Sequence, residues 1–69
     1  MKISARNSIK GKVKNIVVGQ VNAEVTIDLG NGKEIVSVIT KNSLESLGIK
    51  VGKEVYAVIK ASSVMIGTD

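Results

Sequence analysis

The 69-residue chain has no cysteine and no histidine, lacks phenylalanine and tryptophan, and carries one aromatic residue, Tyr56. Without cysteine or histidine there is no disulfide framework, no thiolate or imidazole metal ligand, and no imidazole for nucleophilic or acid/base catalysis. The residues point away from an enzyme. A lone tyrosine removes the stacking platforms on which single-stranded nucleic acid binders rely, and it leaves the core without large side chains. A chain of this size buries only roughly 60% of its unfolded surface. Lacking disulfide, metal and large aromatics, such a domain ordinarily needs subunit association, so an oligomer is expected. Long apolar runs are missing too: Tyr56–Ile59 and its like are far too short to span a bilayer. Lys2, Ser4, Arg6, Asn7 and Ser8 stand where a signal peptide would be apolar. The cytoplasm is the expected location, with no membrane partner.

What the chain has instead is β-branched stock: eleven valines and nine isoleucines against three leucines. That composition suits pleated surfaces rather than helices. Ten basic residues against six acidic ones give a net charge of +4, which favours anionic partners. The lysines are dispersed, with only Lys10, Lys12 and Lys14 closely grouped, so the excess is not a basic tail.

Residues 21–29 form the clearest predicted strand, with Val21, Ala23, Val25, Ile27 and Leu29 alternating against Asn22, Glu24, Thr26 and Asp28. Gly30-Asn31-Gly32 supplies a tight reversal tolerant of positive φ, leading into a second strand over residues 33–40. Upstream, Gly11–Val18 reads as a strand joined to the alternating one by a short Gly19-Gln20 turn. Downstream, Glu54–Lys60 alternates again after a Gly52-Lys53 turn, and a last strand is expected at Val64–Ile66. Residues 40–48 break the alternation and predict a short helix. Thr40 or Asn42 would cap it, Asn42 with Glu45 fitting a capping box; Leu44 and Leu47 share a face, and Gly48 ends it. The order strand, strand, strand, helix, strand, strand is the plan of an all-β, five-stranded, OB-fold-like barrel with one short helix. An additional N-terminal edge strand is expected at Lys2–Arg6, lying on its own sheet or a neighbour's. The whole chain, 1–69, reads as one domain.

Three segments concentrate small hydroxylated side chains and cations without hydrophobic purpose: Ser4-Ala5-Arg6-Asn7, Thr40-Lys41-Asn42-Ser43 and Lys60-Ala61-Ser62-Ser63. Each has a plainer explanation as edge strand, helix cap or turn. Together they hold hydroxyls, one arginine, two lysines and no carboxylate. That inventory suits a small tetrahedral dianion, which offers acceptors only and would be repelled by a carboxylate. A lysine about 4 Å from such a dianion gains on the order of 8 kcal/mol gross at an effective dielectric near 20, most of it offset by desolvation. Neutral donors then supply fit.

In order along the chain, Ser4-Ala5-Arg6-Asn7, Gly11-Lys12-Val13, Val21-Asn22-Ala23-Glu24-Val25, Ile39-Thr40 with Ser43, and Ile59-Lys60-Ala61-Ser62 resemble the molbindins, or Mop family, whose domains are also called TOBE domains. The resemblance runs from Met1 to about Gly67, and the ordered combination is specific although each motif alone is weak. It implies an OB-type barrel assembling into a homohexamer that binds molybdate or tungstate between subunits, as storage or buffering, with no further cofactor. Carried over by position, Ser4 and Arg6, with Asn7 shaping the turn, and Lys60, Ala61 and Ser62 would meet the anion from one subunit. Thr40 and Ser43 would meet it from another. Ala5, Gly19 and Val21 are weaker transfers, the last two as a turn offering backbone amides to a further site. Ser8 stands where relatives often carry glutamine. Two other readings remain open on residues alone: a nucleic-acid-binding OB module, favoured by charge and barrel but short of aromatics and a continuous basic stripe, and a purely structural assembly domain.

Overall fold

A computed structural model describes all 69 residues, Met1–Asp69. Four strands and a short helix follow in the order β1 (Asn7–Val18), β2 (Asn22–Gly30), β3 (Lys33–Thr40), α1 (Lys41–Ser46) and β4 (Glu54–Ile59), with a 3₁₀ turn at Ala61–Ser63. All three ladders are antiparallel, and the sheet order is β3-β2-β1-β4. No helix is long and apolar enough to cross a membrane.

The long strand β1 organises the fold. Its first half, Asn7–Lys12, pairs with β4, and its second half, Lys12–Val18, pairs with β2. Between the Val13–Ile27 and Asn15–Thr26 pairs the register shifts, leaving Lys14 as an extra residue. This bulge bends the strand and resets which side chains face inward, so Val13 and Ile16, three apart, both reach the core. β2 delivers Ala23, Val25 and Ile27 to the same side, and β4 delivers Ala57; with Val13 these are the five buried residues. The β2–β3 reversal is held by positive φ at Gly30, Asn31 and Gly32, and the Asp28 carboxylate accepts the Gly30 N–H at 2.8 Å. Gly11 has a different purpose. A Cβ there would meet Ile27 Cγ2 at 2.6 Å and the Asp28 carbonyl oxygen at 2.7 Å, so glycine alone allows β1 and β2 to close over the core.

Thr40 is the cap of α1, its Oγ1 accepting the Ser43 N–H, so the alternative box built on Asn42 and Glu45 is not used. Gly48 at φ +63° ends the helix, and Lys53 Nζ donates to the Leu47 and Gly48 carbonyls at 2.7 and 3.2 Å. Leu44 packs on the core, whereas Leu47, expected on the same face, is 60% exposed. The segment 50–53 then docks on the bulge, where Val13 donates to the Lys53 carbonyl and Gly52 to that of Val13.

Two expected strands do not form. Lys2–Arg6 and Val64–Ile66 carry no ladder, and the sheet is a four-stranded, curled half-barrel rather than a five-stranded OB barrel. The physical reason is pairing: β3 and β4 remain free edges, and within one chain neither terminal segment lies along one. Ile35–Ser37 of β3 and Tyr56–Ile59 of β4 nonetheless line one cavity of about 190 Å³, so the curl brings the two edges toward each other without joining them.

Gly11→Ala is expected to destabilise the fold by about 1–3 kcal/mol through overpacking against backbone that cannot yield; urea denaturation followed by far-UV circular dichroism measures it, and an unchanged midpoint would contradict the close-approach assignment.

Candidate anion-binding site

The end of β4 and the start of β1 meet because Asn7 pairs with Ile59. Asn7 Nδ2 adds a side-chain bond to the Ile59 carbonyl at 3.3 Å, tying the N-terminal segment to the strand end. Immediately beyond this clasp, Ser4, Ala5, Arg6, Lys60, Ala61 and Ser62 line one open concavity of about 630 Å³, joined by Val58. Two segments more than fifty residues apart in sequence thus form one surface. Asn7 does not line that concavity; its amide is committed to the clasp. Val58 was not singled out from the sequence, although it is two residues before Lys60 in an alternating strand and so shares its face.

The electrostatics separate this concavity from others. The chain's two ion pairs are Lys10 with Glu54 at 3.0 Å and Lys14 with Glu34 at 2.9 Å. Neither Arg6 nor Lys60 has a carboxylate partner, and no carboxylate lines their concavity. A second concavity of about 400 Å³ is lined by Lys10, Gly11, Lys12, Asp28, Leu29, Gly30 and Glu54, and its acidic groups make it a poor host for a dianion. There the Glu54 carboxyl is held below its ordinary value by hydrogen bonding and charge from Lys10, and Lys10 is raised by the same contacts. Glu34 raises Lys14 similarly. No group of three or more acidic residues is placed to hold a metal cation.

Thr40 and Ser43 form a separate group at the far corner of the sheet. Thr40 Oγ1 accepts the Ser43 N–H at 3.0 Å and bonds Ser43 Oγ at 2.8 Å. Val21 belongs to this corner, since its carbonyl accepts the Lys41 N–H at 2.7 Å, and Gly19 closes the adjoining turn by donating to the Asn22 carbonyl at 2.8 Å. Thr40 pairs with Asn22 beyond the C-terminal end of β1, whereas Lys60 follows Ile59, which pairs at its N-terminal end. The 12 residues of β1 would span roughly 36 Å if straight. None of the chain's concavities is lined by both groups. One chain therefore holds the two groups on separate parts of its surface.

The chain is an all-β half-barrel with unpaired edges, and its concavity gathers Arg6, Lys60 and hydroxyl side chains without a carboxylate. The sequence profile of the TOBE domain matches residues 3–66. The chain is 52% identical, over the full length of both, to the probable molybdenum-pterin-binding protein of Haemophilus influenzae. Its fold matches a molybdate-binding protein from Sporomusa ovata with a TM-score of 0.92 and 38% identity, covering 99% of this chain and 100% of that one. It matches the cytoplasmic molybdate-binding protein ModG, in a form with molybdate bound, with a TM-score of 0.94 and 49% identity, covering all of this chain and 49% of ModG. The chain belongs to the TOBE-domain family, among its molbindin (Mop) members.

Thr40→Ala removes the helix cap and is expected to cost about 1 kcal/mol of stability, whereas Thr40→Ser keeps the hydroxyl and most of that stability. Chemical denaturation of the two variants measures the difference; equal losses would show that the methyl group, not the cap, matters.

Proposed function

We propose that this protein binds molybdate or tungstate in the cytoplasm, as a store or buffer, at sites shared between the subunits of a homohexamer. The observation that carries the reading is the concavity in which Arg6 and Lys60, neither paired with a carboxylate, converge with Ser4, Ser62 and the small Ala5 and Ala61. A tetrahedral dianion offers acceptors in every direction. A site of cations, hydroxyls and close-approaching backbone meets it without a repelling group. Thr40 and Ser43 supply hydroxyls from the neighbouring subunit, because within one chain they lie at the opposite corner. Gly19 and Val21 stand beside that second set, and their turn is assigned to a further anion site, the Gly19 N–H itself being given to the Asn22 carbonyl. Structural neighbours support the ligand: the Sporomusa ovata protein is a molybdate-binding protein, and ModG was solved with molybdate bound.

Assembly is supported by the surface. Only five residues are buried, while Val17, Val21, Val36, Val38, Leu47 and Val51 are each more than half exposed. So many exposed apolar side chains on so small a chain suit contacts with other subunits. The nucleic-acid reading loses ground on the same structure. Lys10 and Lys14, two of the three clustered lysines, are tied up by Glu54 and Glu34, and Tyr56 stands alone on an edge strand.

Lys60→Ala deletes one charge-assisted contact worth about 2 kcal/mol, so molybdate affinity is expected to fall roughly 30-fold with the β-sheet signature retained. Isothermal titration calorimetry on wild type and variant tests this. Unchanged affinity would remove Lys60 from the site, and a wild type that gives no heat with either molybdate or tungstate would end the reading.

A further inference from the structure

The β2–β3 hairpin reverses through two residues. Gly30 pairs with Lys33, and both residues between them have positive φ, Asn31 at 55° and Gly32 at 73°, the primed turn for which Asn-Gly is best suited. The same dipeptide holds a nucleophile and an electrophile side by side. The backbone nitrogen that follows an asparagine is one ring closure away from that asparagine's side-chain carbonyl carbon, Cγ. A glycine at the following position removes the side chain that would obstruct the approach. Here both partners are free: neither the Asn31 side-chain amide nor the Gly32 N–H enters a hydrogen bond. Asn31 is exposed, and nothing lies within 4 Å of where a Cβ on Gly30 or Gly32 would stand. The rotation that brings the Gly32 nitrogen onto Asn31 Cγ therefore has room.

The other four asparagines differ in each respect. Asn7 and Asn15 lie in β1, Asn22 in β2 and Asn42 in α1, where the ladder or the helix fixes the backbone torsions. Their successors, Ser8, Ile16, Ala23 and Ser43, all carry a side chain. The Asn7 amide donates to the Ile59 carbonyl, and the Ser43 N–H donates to Thr40 Oγ1. Exposed turns with few contacts also open at lower cost than the strands they join.

We infer that Asn31 is a site of spontaneous covalent modification, at which the Gly32 nitrogen closes on Cγ to form a succinimide that water opens to aspartate or isoaspartate. In the first step the N–Cγ bond forms and the Cγ–Nδ2 bond breaks, and the Gly32 amide proton departs with Nδ2 as ammonia. In the second step water cleaves one of the two ring C–N bonds. Cleavage at Cγ restores the backbone and leaves aspartate; cleavage at the Asn31 carbonyl carbon leaves a backbone that runs through Cγ, which is isoaspartate. Neither step needs an oxidant or a reductant. Either product lowers the net charge of +4 by one and adds a carboxylate to a hairpin in which Asp28 already pairs with Glu34 across the ladder. The isoaspartyl form also lengthens the backbone of a two-residue loop, so it no longer matches the Gly30–Lys33 closure. The change falls outside the concavity of Arg6 and Lys60, and the inference is independent of the proposed anion binding.

The test ages the full chain at mildly alkaline pH in water enriched in heavy oxygen, followed by digestion in ordinary water and tandem mass spectrometry. Only succinimides opened during ageing carry the label. Methyltransferase labelling counts the isoaspartyl product separately. The expected result is heavy oxygen at position 31, several-fold above the sum at Asn7, Asn15, Asn22 and Asn42, with a rate that rises with pH because the attacking nitrogen must lose its proton. Asn31→Gln, which would have to close a larger ring, is expected to keep the β signature in far-UV circular dichroism and to gain acidic forms several-fold more slowly on ion exchange. Absence of label at position 31, label spread evenly over the five asparagines, or an Asn31→Gln chain that acidifies as fast as wild type would each overturn the inference.

Discussion

Incomplete edge pairing is the constraint on which the rest of this structure depends. A sheet of four short-to-medium strands, bent by the Lys14 bulge, curls far enough for β3 and β4 to share a cavity but not far enough to hydrogen-bond. The backbone groups along those edges must then be satisfied by water or by another chain. The same incompleteness governs the core. With Val13, Ala23, Val25, Ile27 and Ala57 as the only buried residues, the isolated chain has little apolar burial to oppose the entropy of ordering. The proposed association with further copies would address both deficits together.

The charge layout follows a parallel division. Lysines of β1 meet acidic partners on other strands, Lys10 with Glu54 on the neighbouring β4 and Lys14 with Glu34 on β3, across the intervening β2. Being exposed, these pairs contribute little to stability, yet they neutralise the middle of the sheet. Arg6 and Lys60 at the β1–β4 end have no such partner, and positive charge is left where the hydroxyls collect. The depressed Glu54 carboxyl has a small consequence: its stabilising contribution is present above the ordinary carboxylate range and fades as pH falls through its lowered value. The raised Lys10 keeps its contribution until strongly alkaline pH.

Local structure was largely legible in the residues. The alternation over residues 21–29, the Gly30-Asn31-Gly32 reversal and the strand at 33–40 agree with β2, its turn and β3, and Thr40 caps the helix as one of two candidates. The bulge at Lys14 was not read from the sequence, where Gly11–Val18 stood as a plain strand. Strands at Lys2–Arg6 and Val64–Ile66 were expected from composition, but a strand is a pairing and one chain offers neither segment a partner. For the candidate site, chemistry was legible and grouping was not. The sequence named Ser4, Arg6, Lys60 and Ser62 without showing that Asn7 clasps Ile59 and thereby joins the two segments. Conversely, the plain role of Thr40 as a cap is real, and it coexists with the hydroxyl geometry that makes it a ligand candidate.

The open sheet and the separation of the two polar groups both support the proposal of an assembly in which each anion is held by more than one chain. Native mass spectrometry of the protein, sprayed from volatile buffer with and without molybdate, reads subunit number and bound-ion count in the same spectrum. The account predicts a multimer, six subunits on the family resemblance, that gains molybdate in discrete steps while monomer released from it carries none. A monomer as the sole species, or molybdate bound stoichiometrically to single chains, would contradict it.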